Sequence, residues 1–302
     1  MRRTIVQLLT PMIQLFANLT SNRYDPGEFA KFAEDAGFDG ATCSDHYWLR
    51  EAAPHVWVAL AAMGCATQRI TIAPSFVNNL ARSPFEFVQA SVAMHRLSGG
   101  RFEAGLGAGW NENEIVATGQ TYPSGPQRAR MYREALLIAR QLLTEGRCTF
   151  DGEHYRMEVP FIEALRAPEI PLVASVGGSW TMRHITPIVD RVELKFGRTT
   201  RGGSLDIPAL ASVTQDELVG MIAAVREVRP DIPIGLFVLF AAGEGAAVEA
   251  VRASMGDNLC AEFVGDPKRV LDRLRSLESL GIGRVQLTEL VPGSLERLGE
   301  AL

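Results

Sequence analysis

A chain of 302 residues with 47% hydrophobic content can bury a large core, and it exceeds the usual domain size without reaching a comfortable two-domain length. Its formal charge of -5, from 30 basic and 35 acidic residues mixed along the sequence, offers no basic face to phosphate backbones or anionic lipid, so nucleic acid and membrane surfaces are not expected partners. Met-Arg-Arg-Thr at the start leads into an apolar run broken at Pro11, too short for a signal peptide or a membrane span, and a cytoplasmic protein with one domain over residues 1–302 is expected.

Taken in chain order, short β-like runs at 4–9, 38–43, 70–77, 101–106, 172–176, 192–196, 234–240 and 284–288 alternate with helix-length amphipathic segments. That is the pattern of βα units around a parallel sheet. Asp25-Pro26, Ser83-Pro84 and Asp266-Pro267 each place a capping side chain before a proline at the first helical position. Gly37, Gly99 and Gly281 fall where helices should stop in a left-handed cap. Around Gly37 and Gly281 the sequence reads as two copies of one helix-to-strand turn. Two stretches exceed a minimal barrel: about 147–158, which reads as a hairpin turning at Asp151-Gly152, and 197–212, which is polar and glycine-bearing. Both are expected to shape or cover a pocket.

Cys43, Cys65, Cys148 and Cys260 are far apart in apolar surroundings and form no CxxC pair, so all four read as reduced core or near-core thiols. His55, His95, His154 and His184 show no HExxH or paired spacing, and no metal site is expected. Hydrolase signatures such as GxSxG are absent from the sequence.

In a parallel barrel the active site lies at the carboxyl ends of the strands. Ser44-Asp45-His46-Tyr47-Trp48 follows the second run, Asn78-Asn79 the third, Gly107-Ala108-Gly109-Trp110-Asn111-Glu112 the fourth and Gly177-Gly178-Ser179 the fifth. An imidazole at a strand mouth can donate to a ring carbonyl or pass a proton near neutral pH. A capping Asp45 beside a structural His46 is the equal alternative. Glycines at 105, 107 and 109 permit close approach of the backbone to a flat or phosphorylated ligand, or else turn a crowded barrel corner. Gly177, Gly178 and Ser179 can hold a phosphate at a helix start.

These landmarks resemble the bacterial luciferase-like monooxygenase superfamily, and within it the branch of deazaflavin-dependent oxidoreductases. The resemblance runs along nearly the whole chain and is most specific at Arg82-Ser83-Pro84, at Leu97-Ser98-Gly99-Gly100-Arg101-Phe102 and at Gly105-Leu106-Gly107-Ala108-Gly109-Trp110-Asn111. It implies an α/β fold, a (β/α)8 TIM barrel with insertions, and a homodimer paired through the second and third helices. It further implies that His46 and Asp45 serve the chemistry, with Asp45 also against the cofactor. A cis peptide at Ser75-Phe76 is implied to buttress the cofactor ring. The remaining cofactor contacts implied are Val77, Asn78, Gly107, Ala108, Gly109, Trp110, Asn111, Val176, Gly177, Gly178 and Ser179.

Ser44-Asp45-His46 is similar to the deazaflavin branch, so coenzyme F420 is the implied cofactor. The resemblance then implies hydride transfer between reduced F420 and an unsaturated or carbonyl-type small organic substrate. An FMN-dependent monooxygenase and a cofactor-free ligand-binding barrel are the alternatives. Trp110 stands where several sugar-phosphate dehydrogenases of the branch place a catalytic Glu. Glu112 and Glu114 open the next helix, where carboxylates are favoured, and a substrate role for Lys195 or Arg198 stays open.

Overall fold

The computed structural model describes residues 13–49, 52–196, 200, 201 and 204–302. Its elements begin β1 Gln14–Leu19, α1 Pro26–Ala36, β2 Gly40–Cys43, α2 Val56–Ala66, β3 Thr71–Pro74, β4 Val77–Asn78, α3 Pro84–Leu97, β5 Ala104–Gly107, α4 Glu112–Ala117 and α5 Gly125–Glu145. They continue β6 Cys148–Asp151, β7 Arg156–Val159, β8 Leu172–Val176, α6 Ser179–Ile185, β9 Arg191–Leu194, β10 Thr200–Arg201, β11 Ser204–Leu205, α7 Ile207–Ala211 and α8 Gln215–Val228. The last are β12 Ile234–Ala242, α9 Ala246–Met255, β13 Val264–Gly265, α10 Pro267–Ser276, β14 Arg284–Glu289 and α11 Ser294–Gly299.

The main sheet runs β3-β2-β1-β14-β12-β9-β8-β5-β4 and is parallel throughout. β3 and β4 share one strand position, interrupted at Ser75–Phe76, whose peptide is cis as expected. The ring closes where Val77 pairs with Leu106, and where Ile72 N donates to Arg101 O (3.0 Å) and Glu103 N to Ile72 O (3.1 Å). With β3 and β4 counted as one position, the strands form the expected (β/α)8 barrel. Among the described residues no helix is long and apolar enough to cross a membrane.

The caps hold the helices where the sequence places them. Asp25, Ser83 and Asp266 each accept backbone N–H bonds at the starts of α1, α3 and α10. The two similar turns adopt one conformation, Gly37 at φ 95, ψ 15 and Gly281 at φ 86, ψ 17, a left-handed geometry that a Cβ would strain.

The expected run at 4–9 lies outside the described residues, and the strand in first position is β1. Its inward side chains are Gln14, Phe16 and Asn18, so polar residues interrupt what would otherwise read as an apolar run. The hairpin also differs from its expectation. Asp151 stays in the ladder opposite Arg156, and the turn is the four residues 152–155. The Glu134 carboxylate on α5 dictates this, accepting the amides of Glu153 (2.8 Å), His154 (2.9 Å) and Tyr155 (3.0 Å). Cys43, Cys148 and Cys260 are buried free thiols as expected; Cys65 is exposed, on the outward face of α2.

The barrel interior is polar in layers. At its base Arg284 pairs with Glu103, donates from Nη2 to Gln14 Oε1 (3.1 Å) and lies 3.9 Å from the centre of the Phe16 ring. Higher up, Asn18 Nδ2 donates to Thr288 Oγ1 (2.7 Å) and Ser44 Oγ (3.1 Å), while Thr42 Oγ1 donates to Asn18 Oδ1 (2.9 Å). Ser75 Oγ donates to Gln286 Oε1 (2.5 Å). This network ties β1, β2, β3 and β14 together just below the mouth, and each bond spares a buried polar group its desolvation cost.

Candidate active site

β2 ends at Cys43, and the next three residues turn into the mouth. Asp45 is buried; its Oδ2 accepts the Asn78 amide (2.9 Å) and its Oδ1 faces Arg82 Nη2 (3.1 Å). A carboxylate engaged in this way positions the loop, binding the end of β2 to the end of β4. His46 follows Asp45 in the same loop.

His46 Nδ1 lies 2.7 Å from Glu114 Oε1, and the imidazole packs edge-on against Trp110 with ring centres 5.3 Å apart. Glu114 is wholly buried, and its carboxylate also accepts the Tyr47 amide (2.9 Å) and Asn111 Nδ2. An ionised carboxylate can only accept, so Nδ1 carries the hydrogen and Nε2 is the ring nitrogen left to meet a ligand. Nε2 makes no hydrogen bond among the described residues. Glu114 thus corrects the sequence reading: it opens α4, but its side chain turns inward to orient His46. Glu112 is exposed at the first position of α4, where a carboxylate is favoured by the helix start. The one sequence signal for Glu114 was its place beside the buried Ile115 on the inward face of a short helix.

The glycine segment that ends β5 is close to the cis peptide at Ser75–Phe76. A Cβ on Gly105 would meet Pro74 O at 2.8 Å and the Phe76 ring at 2.9 Å, and one on Gly107 would come within 3.1 Å of Phe76 Cβ. Gly109 has φ +78 with Asn78 and Leu80 packed against it. Ala108, Gly109 and Trp110 are half-buried, and the Trp110 carbonyl accepts Tyr122 OH at 2.9 Å. Two buried polar atoms here lack a partner among the described residues, Asn79 Nδ2 and Asn111 Oδ1. The hairpin reaches the same place, since Tyr155 OH donates to Asn79 Oδ1 at 3.3 Å.

Across the mouth, Gly177 and Gly178 follow β8 and point their amides at Thr181 Oγ1, 3.4 and 3.2 Å away, a partner the sequence reading missed. Gly178 and Ser179 are exposed. The Val77 and Val176 side chains belong to the core, so only their main chain is available to a ligand. Lys195 follows β9 on its inward side, with Nζ 4.3 Å from the centre of the Phe237 ring and 5.0 Å from that of Phe76. Arg198 lies outside the described residues. Among the described residues no group of three or more His, Cys, Asp or Glu is placed to hold a metal ion.

The sequence model of the luciferase-like monooxygenase family matches residues 20–193, through the cis peptide, the glycine segment and the loop after β8. The chain belongs to that family. This luciferase-like chain is 29% identical to the F420-dependent glucose-6-phosphate dehydrogenase of Intrasporangium calvum, across 91% of this chain and 92% of that one. In fold it is similar to an F420-dependent secondary alcohol dehydrogenase solved with an F420-acetone adduct, with TM-score 0.75, 19% identity, and 96% of this chain and 98% of that one covered. It is also similar to the coenzyme F420-dependent tetrahydromethanopterin reductase of Methanopyrus kandleri, with TM-score 0.72, 17% identity, and again 96% and 98% covered.

Proposed function

We propose that this chain is an oxidoreductase that moves a hydride between coenzyme F420 and a small unsaturated or carbonyl-type organic substrate, with His46 Nε2 as the proton-exchanging atom. The observation that carries the reading is the His46–Glu114 pair at the mouth of a luciferase-like barrel, taken with relatives named for F420 dependence.

The residues present fit such a cofactor. Asn79 Nδ2 and Asn111 Oδ1 are buried without partners among the described residues, beside a glycine wall that leaves room for a flat ring. A phosphate would be taken by the Ser179 hydroxyl and by the Gly177 and Gly178 amides once these exchange Thr181 Oγ1 for it. When bound, F420 supplies two-electron hydride chemistry at its deazaflavin ring. The protein's own part is position and proton supply. Phe76 and the main chain of 107–111 would frame the ring, Asp45 and Arg82 fix the loop that carries His46, and Glu114 holds its imidazole. Trp110 walls the site from solvent. Glucose 6-phosphate is not carried over as the substrate, because Trp110 occupies the place of the catalytic Glu in that branch.

Dioxygen uptake separates this reading from an FMN monooxygenase. Protein mixed in air with reduced F420 should leave dioxygen untouched, and with reduced FMN should take up no more than free reduced FMN does. Protein-dependent uptake would contradict hydride transfer.

The same reading includes a cytoplasmic homodimer paired through α2 and α3. Val58 on α2 is 68% exposed and Leu97 on α3 is 49% exposed, an apolar outer face suited to a second copy. Sedimentation at micromolar concentration should find dimer, and monomer alone would count against it.

A further inference from the structure

Lys195 ends an inward-facing row on one strand. Arg191, Glu193 and Lys195 alternate up β9 on the barrel side. Glu193 is wholly buried, and among the described residues neither of its carboxylate oxygens has a hydrogen-bond partner; Arg284 Nη1 stands off at 3.9 Å, drawn away by Glu103 and Gln14. Lys195 is one pleat higher, partly reached by solvent, its ammonium framed by the Phe76 and Phe237 rings. No hydrogen bond to that ammonium is made among the described residues. Burial pushes its pKa down to about 8, the nearby Glu193 pulling it back up. An ammonium held in this way keeps its three donors, with two ring faces beside it and the Glu193 carboxylate one pleat below.

The position of Lys195 relative to His46 limits what it can do. His46 follows the second strand position and Lys195 the sixth, four steps apart in a ring of eight, and the Lys195 side chain reaches across to within 5.0 Å of the Phe76 ring between β3 and β4. Reduction of a simple carbonyl gathers negative charge and takes up the proton on one and the same oxygen. Two polar groups carried by different strands, with no hydrogen bond between them among the described residues, fit a substrate in which the charged atom and the protonated atom differ.

We infer that Lys195 holds the carbonyl oxygen of an α,β-unsaturated carbonyl substrate lying flat across the mouth between Phe237 and Trp110, while His46 protonates its α-carbon. The subsite stands on the geometry of β9; the substrate class rests on the hydride-transfer reading above. The chemistry balances. A hydride from the reduced deazaflavin forms the new C–H bond at the β-carbon, and the C=C electron pair moves into the bond between the α-carbon and the carbonyl carbon. The carbonyl pair moves onto the oxygen, facing Lys195, which stabilises that charge. The oxygen pair then re-forms C=O as the α-carbon takes the proton from His46 Nε2. The substrate gains two electrons and the deazaflavin loses two, and His46 is left neutral with Nδ1–H on Glu114. A phosphate would call for several converging donors, whereas one ammonium between two phenyl rings suits a single oxygen on a flat apolar body.

4-Nitrophenolate, a flat anion with its charge on one conjugated oxygen, is the probe, and the shift of its own visible band on binding is the readout, taken without cofactor. Lys195→Met should weaken its binding at least tenfold while the circular dichroism and thermal midpoint show a folded protein. The uncharged 4-nitroanisole should bind both proteins alike and more weakly than the phenolate binds wild type. Equal phenolate affinity in wild type and Lys195→Met, or nitroanisole as tight as phenolate in wild type, overturns the subsite. The class is read by oxidation of reduced F420, where 2-cyclohexen-1-one should react at least tenfold faster than cyclohexanone. A cyclohexanone rate that matches the enone overturns the class. Phenolate binding that survives alongside a failure to bind F420 would sink the cofactor reading and leave the subsite standing.

Discussion

Glu114 Oε1 lies 2.7 Å from His46 Nδ1, and this pairing of a wholly buried carboxylate with a half-buried imidazole fixes which face of the ring opens to the barrel mouth. The same carboxylate accepts the Tyr47 amide and Asn111 Nδ2, so one side chain on α4 organises the loops after β2 and β5 together.

Glu114→Gln tests that arrangement. The amide keeps the size and one acceptor oxygen but loses the charge that stabilises a protonated imidazole, and second-sphere partners of this sort are worth roughly 10–100-fold. Turnover should fall within that range, with cofactor affinity little changed. Imidazole ¹⁵N shifts should show the Nδ1–H preference weakened, a change that a purely structural role for Glu114 would not produce.

His46→Ala should lose turnover by roughly a hundredfold or more, a size typical of removing one general acid or base, while most cofactor affinity survives. Survival is expected because the phosphate loop at 177–179 and the ring-framing Phe76 lie on other strands. Single-turnover oxidation of the reduced cofactor beside a cofactor titration measures both. A wild-type rate would make His46 structural.

Gly178 precedes α6 with an extended backbone at φ -115, and a Cβ there would meet only Thr181 Oγ1 at 3.9 Å. Gly178→Asp should therefore fold without strain and act by charge alone. Set against a bound phosphate, the carboxylate should weaken F420 binding at least about tenfold, or ~1.4 kcal/mol. Unchanged affinity would remove this loop from the site.

Much of the frame was legible in the sequence because its punctuation is local: Asp25-Pro26, Ser83-Pro84 and Asp266-Pro267 start helices where capping chemistry says they should, and Gly37 and Gly281 end them. β1 was not, because Gln14 and Asn18 turn into a polar barrel interior and break the apolar pattern. The candidate site divides similarly. Its strand-end residues follow from position in a barrel, but Glu114, Thr181 and Phe237 act through packing between segments far apart in sequence, which no local pattern encodes. The hairpin turn was misplaced for the same reason, since Glu134 on α5 decides which residues form it.

Glu193 gives a stability prediction with a definite sign. Burial pushes its pKa up to about 7, with Arg284 and Arg191 pulling it back down. The folded state therefore binds its proton more tightly than the unfolded chain, so stability is full below about pH 4.5 and falls as pH rises through about 7. Glu193→Gln has no proton to lose. It should match wild type in acid and gain up to about 3 kcal/mol over it above pH 7, read from urea midpoints across that window. A gap between the two proteins that does not widen with pH would contradict it.

Titration of the purified protein with oxidised F420 and with FMN, followed by quenching of the fluorescence of Trp48 and Trp110, tests the central claim most directly. Saturable binding of F420 at least about tenfold tighter than FMN, a difference of ~1.4 kcal/mol, and lost in Gly178→Asp, is the predicted result. FMN binding as tight as or tighter than F420, or no binding of either, would contradict it.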